Sequence, residues 1–242
     1  MRILVISDIH ANLVAFKAVL EDAKGKWDKV WFLGDLVGYG PDPNECVALM
    51  QELDHMALSG NHDWAILGKL DISNFNIDAR NAVLWAQGII TDETFAYLDA
   101  LPPMLTEDNF TLAHASPRHP VWEYILDRGT AAINFAHFDT PYCLVGHTHV
   151  PIIYAEASSN HIELHPPIYS GQLILDDTRC IINPGSVGQP RDSDPRAAYA
   201  LLDLEEMTWS HCRVPYDIAE TQARMREHGL SDRLVARLAY GW

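Results

Sequence analysis

The chain has 242 residues, 48% hydrophobic and 21% charged, which is enough apolar material for one large globular core and too much for a disordered chain. Lys plus Arg number 17 against 33 Asp plus Glu, and the net charge of −16 argues against a polymeric nucleic-acid or anionic-membrane partner, though not against a small anion held by metal ions. Four scattered cysteines without a CxxC pair, an amino terminus too briefly apolar for a signal peptide and no run of membrane-spanning length lead us to expect a cytoplasmic protein.

Ile3–Ile6 is continuously apolar, the pattern of a strand covered on both faces. Asn12 can cap the helix that follows, with Leu13, Phe16, Val19, Leu20 and Ala23 on one side. Val30–Leu33 reads as a second buried strand. Asp42-Pro43-Asn44-Glu45 then opens a helix with a cap, a first-turn proline and a capping-box glutamate. Met56–Leu58 reads as a third strand. Residues 64–100 read as a helical insertion, with a second capped start at Thr91-Asp92-Glu93 and an end at Pro102-Pro103. Phe110–Ala113 and Tyr142–Val145 are further strands around a helix at 128–137. Beyond Gly146, short strand-like runs at 151–155, 161–165, 172–175, 179–182, 197–203 and 207–214 predict an antiparallel portion, with turns at Ser158-Ser159-Asn160 and Asp176-Asp177. The last 27 residues look helical. Without repeats or a Gly/Ser linker, residues 1–242 read as a single domain, most simply an open mixed α/β sheet with helices on its faces.

Residues suited to metals recur directly after these strands. Ile3–Ile6 delivers Asp8 and His10, Val30–Leu33 delivers Gly34-Asp35, and Met56–Leu58 delivers Gly60-Asn61-His62-Asp63. Phe110–Ala113 delivers His114, and Tyr142–Val145 delivers Gly146-His147-Thr148-His149. Ligands of open α/β sheets bind at the carboxyl ends of strands, so five strand ends are aimed at one rim. Each motif alone has a plain structural reading as a turn or cap; the ordered set does not.

Carboxylate, amide and imidazole groups without a thiolate suit manganese first, with iron, cobalt, nickel or zinc as alternatives. Asp8, His10, Asp35, Asn61, His114, His147 and His149 are too many for one such ion. If Asp35 bridges, they divide four and four between two divalent ions. Two ions roughly 3.5–4 Å apart form a clamp for in-line displacement at phosphorus, with a hydroxide between them as nucleophile.

In this order the motifs resemble the calcineurin-like metallophosphoesterase superfamily, and most closely its small bacterial and archaeal phosphodiesterase branch. The run Asn183-Pro184-Gly185-Ser186-Val187-Gly188-Gln189-Pro190-Arg191 resembles that branch as well. The resemblance implies a two-sheet β-sandwich flanked by helices. It assigns Asp8, His10, Asp35 and His149 to one metal, and Asp35, Asn61, His114 and His147 to the other. It makes His62 the general acid on the leaving oxygen, with Asp63 orienting and charging that imidazole. One departure stands out: Leu36 follows Gly34-Asp35 where the larger phosphatases of the superfamily carry an arginine, which disfavours a protein phosphatase.

Arg191 is the candidate replacement contact to phosphate, unless it merely pairs with Asp192 or Asp194. Asn12 is a candidate substrate contact that helix capping also explains. Arg118 and His119 are plausible contacts in the segment after His114, and Tyr39 and Tyr124 are candidates to stack on a base. The 64–100 insertion is expected to cover the site as a cap or to bury a subunit contact in a homo-oligomer. The expected activity is a phosphodiesterase acting on small, nucleotide-like phosphoesters. A phosphomonoesterase or protein phosphatase is the alternative, and a non-catalytic scaffold, like the retromer subunit related to this superfamily, is a third reading.

Overall fold

Strand β1 (Arg2–Ile6) sets the layering, because its four apolar residues are all buried and alternate between two cores. Ile3 and Val5 face a second sheet, while Leu4 and Ile6 face the helices outside. The computed structural model describes residues 1–158, 161–169 and 171–242. Ser159 and Asn160 of the expected 158–160 turn therefore lie outside the described residues. No helix among the described residues is long and apolar enough to cross a membrane.

The elements follow in chain order. Helix α1 (Leu13–Asp22) starts at the Asn12 cap and leads to β2 (Lys29–Phe32), α2 (Pro43–Gln51) and β3 (His55–Ala57). Helices α3 (Asn61–Ile66), α4 (Ile77–Gln87) and α5 (Asp92–Asp99) precede the hairpin of β4 (Met104–Glu107) and β5 (Phe110–Ala113). Helix α6 (Arg128–Asn134) runs into a 3-10 turn at Phe135–His137 and then β6 (Tyr142–Leu144). Strands β7 (Ile152–Ser158), β8 (His161–His165), β9 (Leu173–Ile174), β10 (Cys180–Asn183), β11 (Ala197–Asp203) and β12 (Thr208–Val214) come next. Helices α7 (Ile218–Glu227) and α8 (Asp232–Arg237) end the chain.

Two six-stranded mixed sheets result, in the orders β3-β2-β1-β11-β12-β9 and β4-β5-β6-β10-β7-β8. The single open sheet read from strand patterning is thus corrected to a sandwich, as the family resemblance implied. Between the sheets, Ile3, Val5, Trp31 and Trp209 meet Phe110, Leu144 and Ile182. Outside the first sheet, Phe16, Val19, Val47 and Met50 bring α1 and α2 onto Leu4 and Ile6. Outside the second, Ala131 and Phe135 cover Cys143, Tyr154 and Ile181.

Each sheet holds one parallel trio, β1–β2–β3 in the first and β5–β6–β10 in the second. Their carboxyl ends come together on one rim. The predicted antiparallel stretch is divided between the sheets: β7, β8 and β10 join the second, while β9, β11 and β12 join the first. The 64–100 insertion is three helices, starting at Asn61 and broken after Leu67 and at Gly88; the second start expected at Thr91 is present, and the break before Asn76 is not expected from the sequence. New caps at Asn76 and Thr91 restart it.

Candidate metal centre

Asp8 and His10 follow β1, Asp35 follows β2, and Asn61 and His62 open α3 after β3. His114 follows β5, and His147 and His149 follow β6. All seven residues named from the sequence as metal ligands, with His62, are buried at this rim. Asp8, His10, Asp35, His147 and His149 have φ between 50° and 64°, the left-handed region that non-glycine residues seldom adopt. Such backbone costs roughly 1–3 kcal/mol per residue and persists only where its surroundings fix it. Here Asp8 N donates to Gly34 O (3.0 Å), His10 N to Asp35 O (2.9 Å) and Gly188 N to Asp8 O (3.0 Å).

Gly60 and Gly146 let the carboxylates come close. A Cβ on Gly60 would lie 2.1 Å from Asp35 Oδ1, and one on Gly146 would lie 2.0 Å from Ser7 Oγ and 2.8 Å from Asp8 Oδ2. One oxygen of each carboxylate is pinned by the protein. Asp8 Oδ2 accepts from Ser7 Oγ (2.6 Å) and His147 N (3.0 Å), and Asp35 Oδ1 accepts from His62 N (2.8 Å). The other oxygen of each, Asp8 Oδ1 and Asp35 Oδ2, is buried with no hydrogen-bond partner among the described residues, as is His147 Nε2.

These orphaned atoms face ring nitrogens. Asp8 Oδ1 lies 3.3 Å from His149 Nε2 and 3.7 Å from His10 Nε2, and Asp35 Oδ2 lies 3.4 Å from His114 Nε2 and 3.6 Å from His10 Nε2. Backbone carbonyls fix which nitrogen faces inward. Nδ1 of His10 donates to Val37 O (3.3 Å), that of His114 to Leu33 O (2.9 Å) and that of His149 to Gln189 O (2.6 Å). Each turns its Nε2 into the cluster, the orientation that metal-binding imidazoles use. His10 and His149 Nε2 stand only 3.1 Å apart, and His114 Nε2 is 3.2 Å from Asn61 Oδ1. Ligand atoms converge within 4.8 Å in two groups, Asp8–His10–His149 and Asp35–His114–His147. A third group, His10–Asp35–His62, places His62 at the edge of the same cluster. A hard-to-borderline divalent cation satisfies this donor set, because a buried carboxylate oxygen without a partner needs positive charge.

The protonation states show the same need. Burial opposes charge on His114, yet the Asp35 carboxylate and then Asp8 outweigh it and hold the imidazole at about 9. Burial pushes the Asp8 carboxyl up to about 7, with His114 opposing. Desolvation keeps His10, His147 and His149 neutral, well below the usual histidine range, and brings His62 to about 4.

A calcineurin-like phosphoesterase superfamily domain matches residues 1–207. The chain belongs to this superfamily. A metallophosphoesterase from Sphaerobacter thermophilus is 51% identical, covering 100% of this chain and 99% of its own, with a TM-score of 0.91. An uncharacterized protein of Methanocaldococcus jannaschii is 38% identical over 99% of this chain and 98% of its own length. A symmetrical bis(5'-nucleosyl)-tetraphosphatase of Aromatoleum aromaticum is 30% identical over 48% of this chain and 44% of its own.

Within this phosphoesterase domain some expected roles are reassigned. Asp63 does not orient His62. Its carboxylate accepts from Gly60 N (2.8 Å), Asp35 N (2.9 Å) and Val37 N (3.1 Å), binding the Asp35 loop to the start of α3, while His62 Nδ1 has no partner among the described residues. Asn12 is a fastener rather than a substrate contact. Its Oδ1 accepts from Ala15 N (3.1 Å) and the Thr221 hydroxyl (3.0 Å), and its Nδ2 donates to Gly188 O (2.9 Å). Arg191 does not pair with its neighbours, because Asp192 pairs with Arg213 and Asp194 with Arg196. Its Nη2 donates to Gln189 Oε1 (2.8 Å) and approaches the Tyr39 hydroxyl (3.5 Å), and its buried Nε is unpartnered. Arg118 is engaged by Glu123 and is not free for an anion.

Sequence reasoning did not single out Ser7, which pins Asp8, or Asn183, whose Nδ2 donates to Gly146 O (2.7 Å) and Thr148 Oγ1 (3.0 Å) and braces the His147 loop. Asn183 opens the glycine-rich run that marked the family, but its function depends on a contact 37 residues away.

With His114 held protonated near neutrality, a cation must displace that proton to reach Nε2. Mn²⁺ uptake by chelator-stripped protein at pH 7 is therefore expected to release protons and to tighten as pH rises toward 9. Calorimetric titration in buffers of different ionisation enthalpy measures this; a heat independent of buffer would contradict it.

Proposed function

We propose that this chain is a dimetal phosphoesterase that cleaves small, nucleotide-like phosphoesters, diesters before monoesters. The carrying observation is the trio of buried, unpartnered ligand atoms, Asp8 Oδ1, Asp35 Oδ2 and His147 Nε2, at the centre of a ring of fixed imidazoles. On this reading Asp8, His10, Asp35 and His149 hold one ion, and Asp35, Asn61, His114 and His147 hold the other, with Asp35 shared. Manganese is our first choice for the pair. Bound there, such ions polarise a phosphoryl oxygen and neutralise the charge that develops during displacement.

The chain's own groups do the rest. His62 is neutral at physiological pH, since burial lowers it to about 4, so it offers an N–H to the leaving oxygen as a hydrogen bond rather than as a stored positive charge. Its ring is packed against Tyr39 (centroids 4.2 Å apart) and Phe75 (5.5 Å) and is held in place without a carboxylate. Arg191 has an unpartnered Nε beside the Tyr39 ring and can take a non-bridging phosphate oxygen.

Support for a small diester over a phosphoprotein comes from Leu36, which stands where the larger phosphatases carry an arginine, and from the acidic surface. The partial likeness to a bis(5'-nucleosyl)-tetraphosphatase supports a nucleotide-like substrate. A polymeric nucleic acid is disfavoured by the net charge of −16.

Metal-stripped protein given Mn²⁺ is expected to hydrolyse bis-p-nitrophenyl phosphate faster than p-nitrophenyl phosphate. Monoester preference would reverse the assignment, and silence on both would sink the enzymatic reading. His62→Ala should keep its metal, by elemental analysis, while turnover falls roughly 10²–10⁴-fold. Loss of metal in that variant would make His62 a ligand. For Arg191→Ala we expect KM to rise with metal content unchanged, since the guanidinium binds no protein carboxylate whose loss would disturb the site.

A further inference from the structure

The loop between His114 and α6 displays two aromatic rings at the mouth of the metal centre. Trp122 and Tyr124 are each 44% exposed. Tyr124 stacks on His147, with centroids 3.9 Å apart and planes 27° apart. Trp122 stacks on Phe75 at 5.5 Å and 28°, and its ring lies 6.4 Å from that of His147. Phe75 in turn meets His62 edge-on at 5.5 Å. The rings thus lie next to a candidate ligand on one side and the candidate proton donor on the other, and both residues remain part-exposed.

The residue between them explains why the loop holds this shape. Glu123 points inward, where it accepts from Ser116 Oγ (2.8 Å), Asn134 Nδ2 (2.8 Å) and Arg118 Nε (3.2 Å) and forms an ion pair with Arg118. Backbone bonds from Arg118 N to Asn134 Oδ1 (3.1 Å), His119 N to Ser116 Oγ (2.9 Å) and Ala115 N to Pro120 O (2.7 Å) complete the clasp. So many polar contacts hold the loop in shape with the protein's own groups while its two large rings stay part-exposed, which lowers the cost of ordering it around a ligand.

We propose that Trp122 and Tyr124 form a ring platform that holds a planar aromatic group of the substrate, a nucleobase or a simple aryl ester, beside the phosphoester. The inference rests on the phosphoesterase reading above and adds the feature that selects among phosphoesters. Base–aromatic stacking tolerates any base, because every base has a π-face, so the platform selects for an aromatic group without reading its identity. Arg191 lies near Tyr124 as well as Tyr39, which puts the phosphate contact and the platform within one ligand's reach. Trp122 and Tyr124 are then specificity-determining residues, and Glu123 is the positioning residue that presents them.

The test measures binding to the Mn²⁺-loaded protein by calorimetric titration with adenosine 5′-monophosphate, ribose 5-phosphate, phenyl phosphate and methyl phosphate. Adenosine 5′-monophosphate is expected to bind roughly 10–100-fold more tightly than ribose 5-phosphate, the range that one stacked base gives. Trp122→Leu, which keeps an apolar contact to Phe75 but has no ring face, should shrink that preference to about threefold and leave ribose 5-phosphate affinity as it was. Trp122→Phe should retain most of it. A matching gain of phenyl over methyl phosphate identifies a general aryl platform, and a gain confined to the nucleotide identifies a nucleobase platform. Equal affinities in the wild type overturn the proposal, as does a preference that survives both Trp122→Leu and Tyr124→Ala. Mn²⁺-dependent cleavage of bis-p-nitrophenyl phosphate, assayed on the same preparations, separates the two readings. Cleavage without an aromatic preference removes the platform alone, and absence of cleavage removes the phosphoesterase.

Discussion

Two carboxylate oxygens buried without a partner are the constraint on which the rest of this structure depends. Asp8 Oδ1 and Asp35 Oδ2 sit in a water-poor rim, and an isolated buried charge is among the least tolerable arrangements in a folded protein. Among the described residues no lysine or arginine forms an ion pair with them. The fold surrounds them instead with imidazoles turned by backbone carbonyls so that their Nε2 atoms point inward. In the protein alone, His114 supplies the missing cation by holding a proton up to about pH 9. The left-handed turns at Asp8, His10, Asp35, His147 and His149 follow from the same demand, since short turns after strand ends are the way to crowd so many ligating groups into one place.

The sandwich makes that crowding possible. Each sheet contributes a parallel trio, and only parallel neighbours end on the same side. Antiparallel insertion of β11 beside β1 and of β7 beside β10 lets the chain return between the sheets without blocking the rim. The run from Asn183 to Arg191 is the seam. Asn183 braces the Gly146–Thr148 turn from the second sheet, Ser186 Oγ donates to Asp8 O (2.8 Å) from the first, and Gln189 O fixes His149. A stretch poor in regular structure thereby locks two sheets into the relative position that the ligands require.

Much of the site was legible because buried parallel strands write unbroken apolar runs, and the polar residue that ends each run is conspicuous. The partition into two sheets was not, since nothing within a strand says which strand lies beside it. Strand β4 escaped notice because Met104–Glu107 is a half-exposed edge directly after two prolines, with no continuous apolar run to mark it. Asp63 was misread for a different reason. Adjacency to His62 suggested partnership, but at the start of α3 its carboxylate turns back to the amide of Gly60, as capping residues do, and onward to the Asp35 loop. Trp122 carried no signal at all, because one aromatic in an irregular loop has neither period nor spacing; only its neighbours in space give it meaning.

The insertion between β3 and β4 shows how separate parts of the chain converge on the same few ångströms. Its helices pack on α2 and the flank of the first sheet and, through Ala79 and Ala82, on the C-terminal helices, while Phe75 joins Asn61 and His62 in reaching the rim. Phe75 meets the His62 ring edge-to-face and stacks on the Trp122 ring, so it joins the candidate proton donor to the part-exposed aromatic loop. His62 lacks the carboxylate partner that usually fixes an imidazole, and its orientation comes from rings instead: Tyr39 on one side, Phe75 on another, and His10 at 4.9 Å. An imidazole held by packing alone stays neutral, because nothing nearby outweighs its desolvation. The aromatic wall thus packs the His62 ring on its inner side and leaves Trp122 and Tyr124 part-exposed at the rim, the two positions that the proposed donor and the proposed platform require.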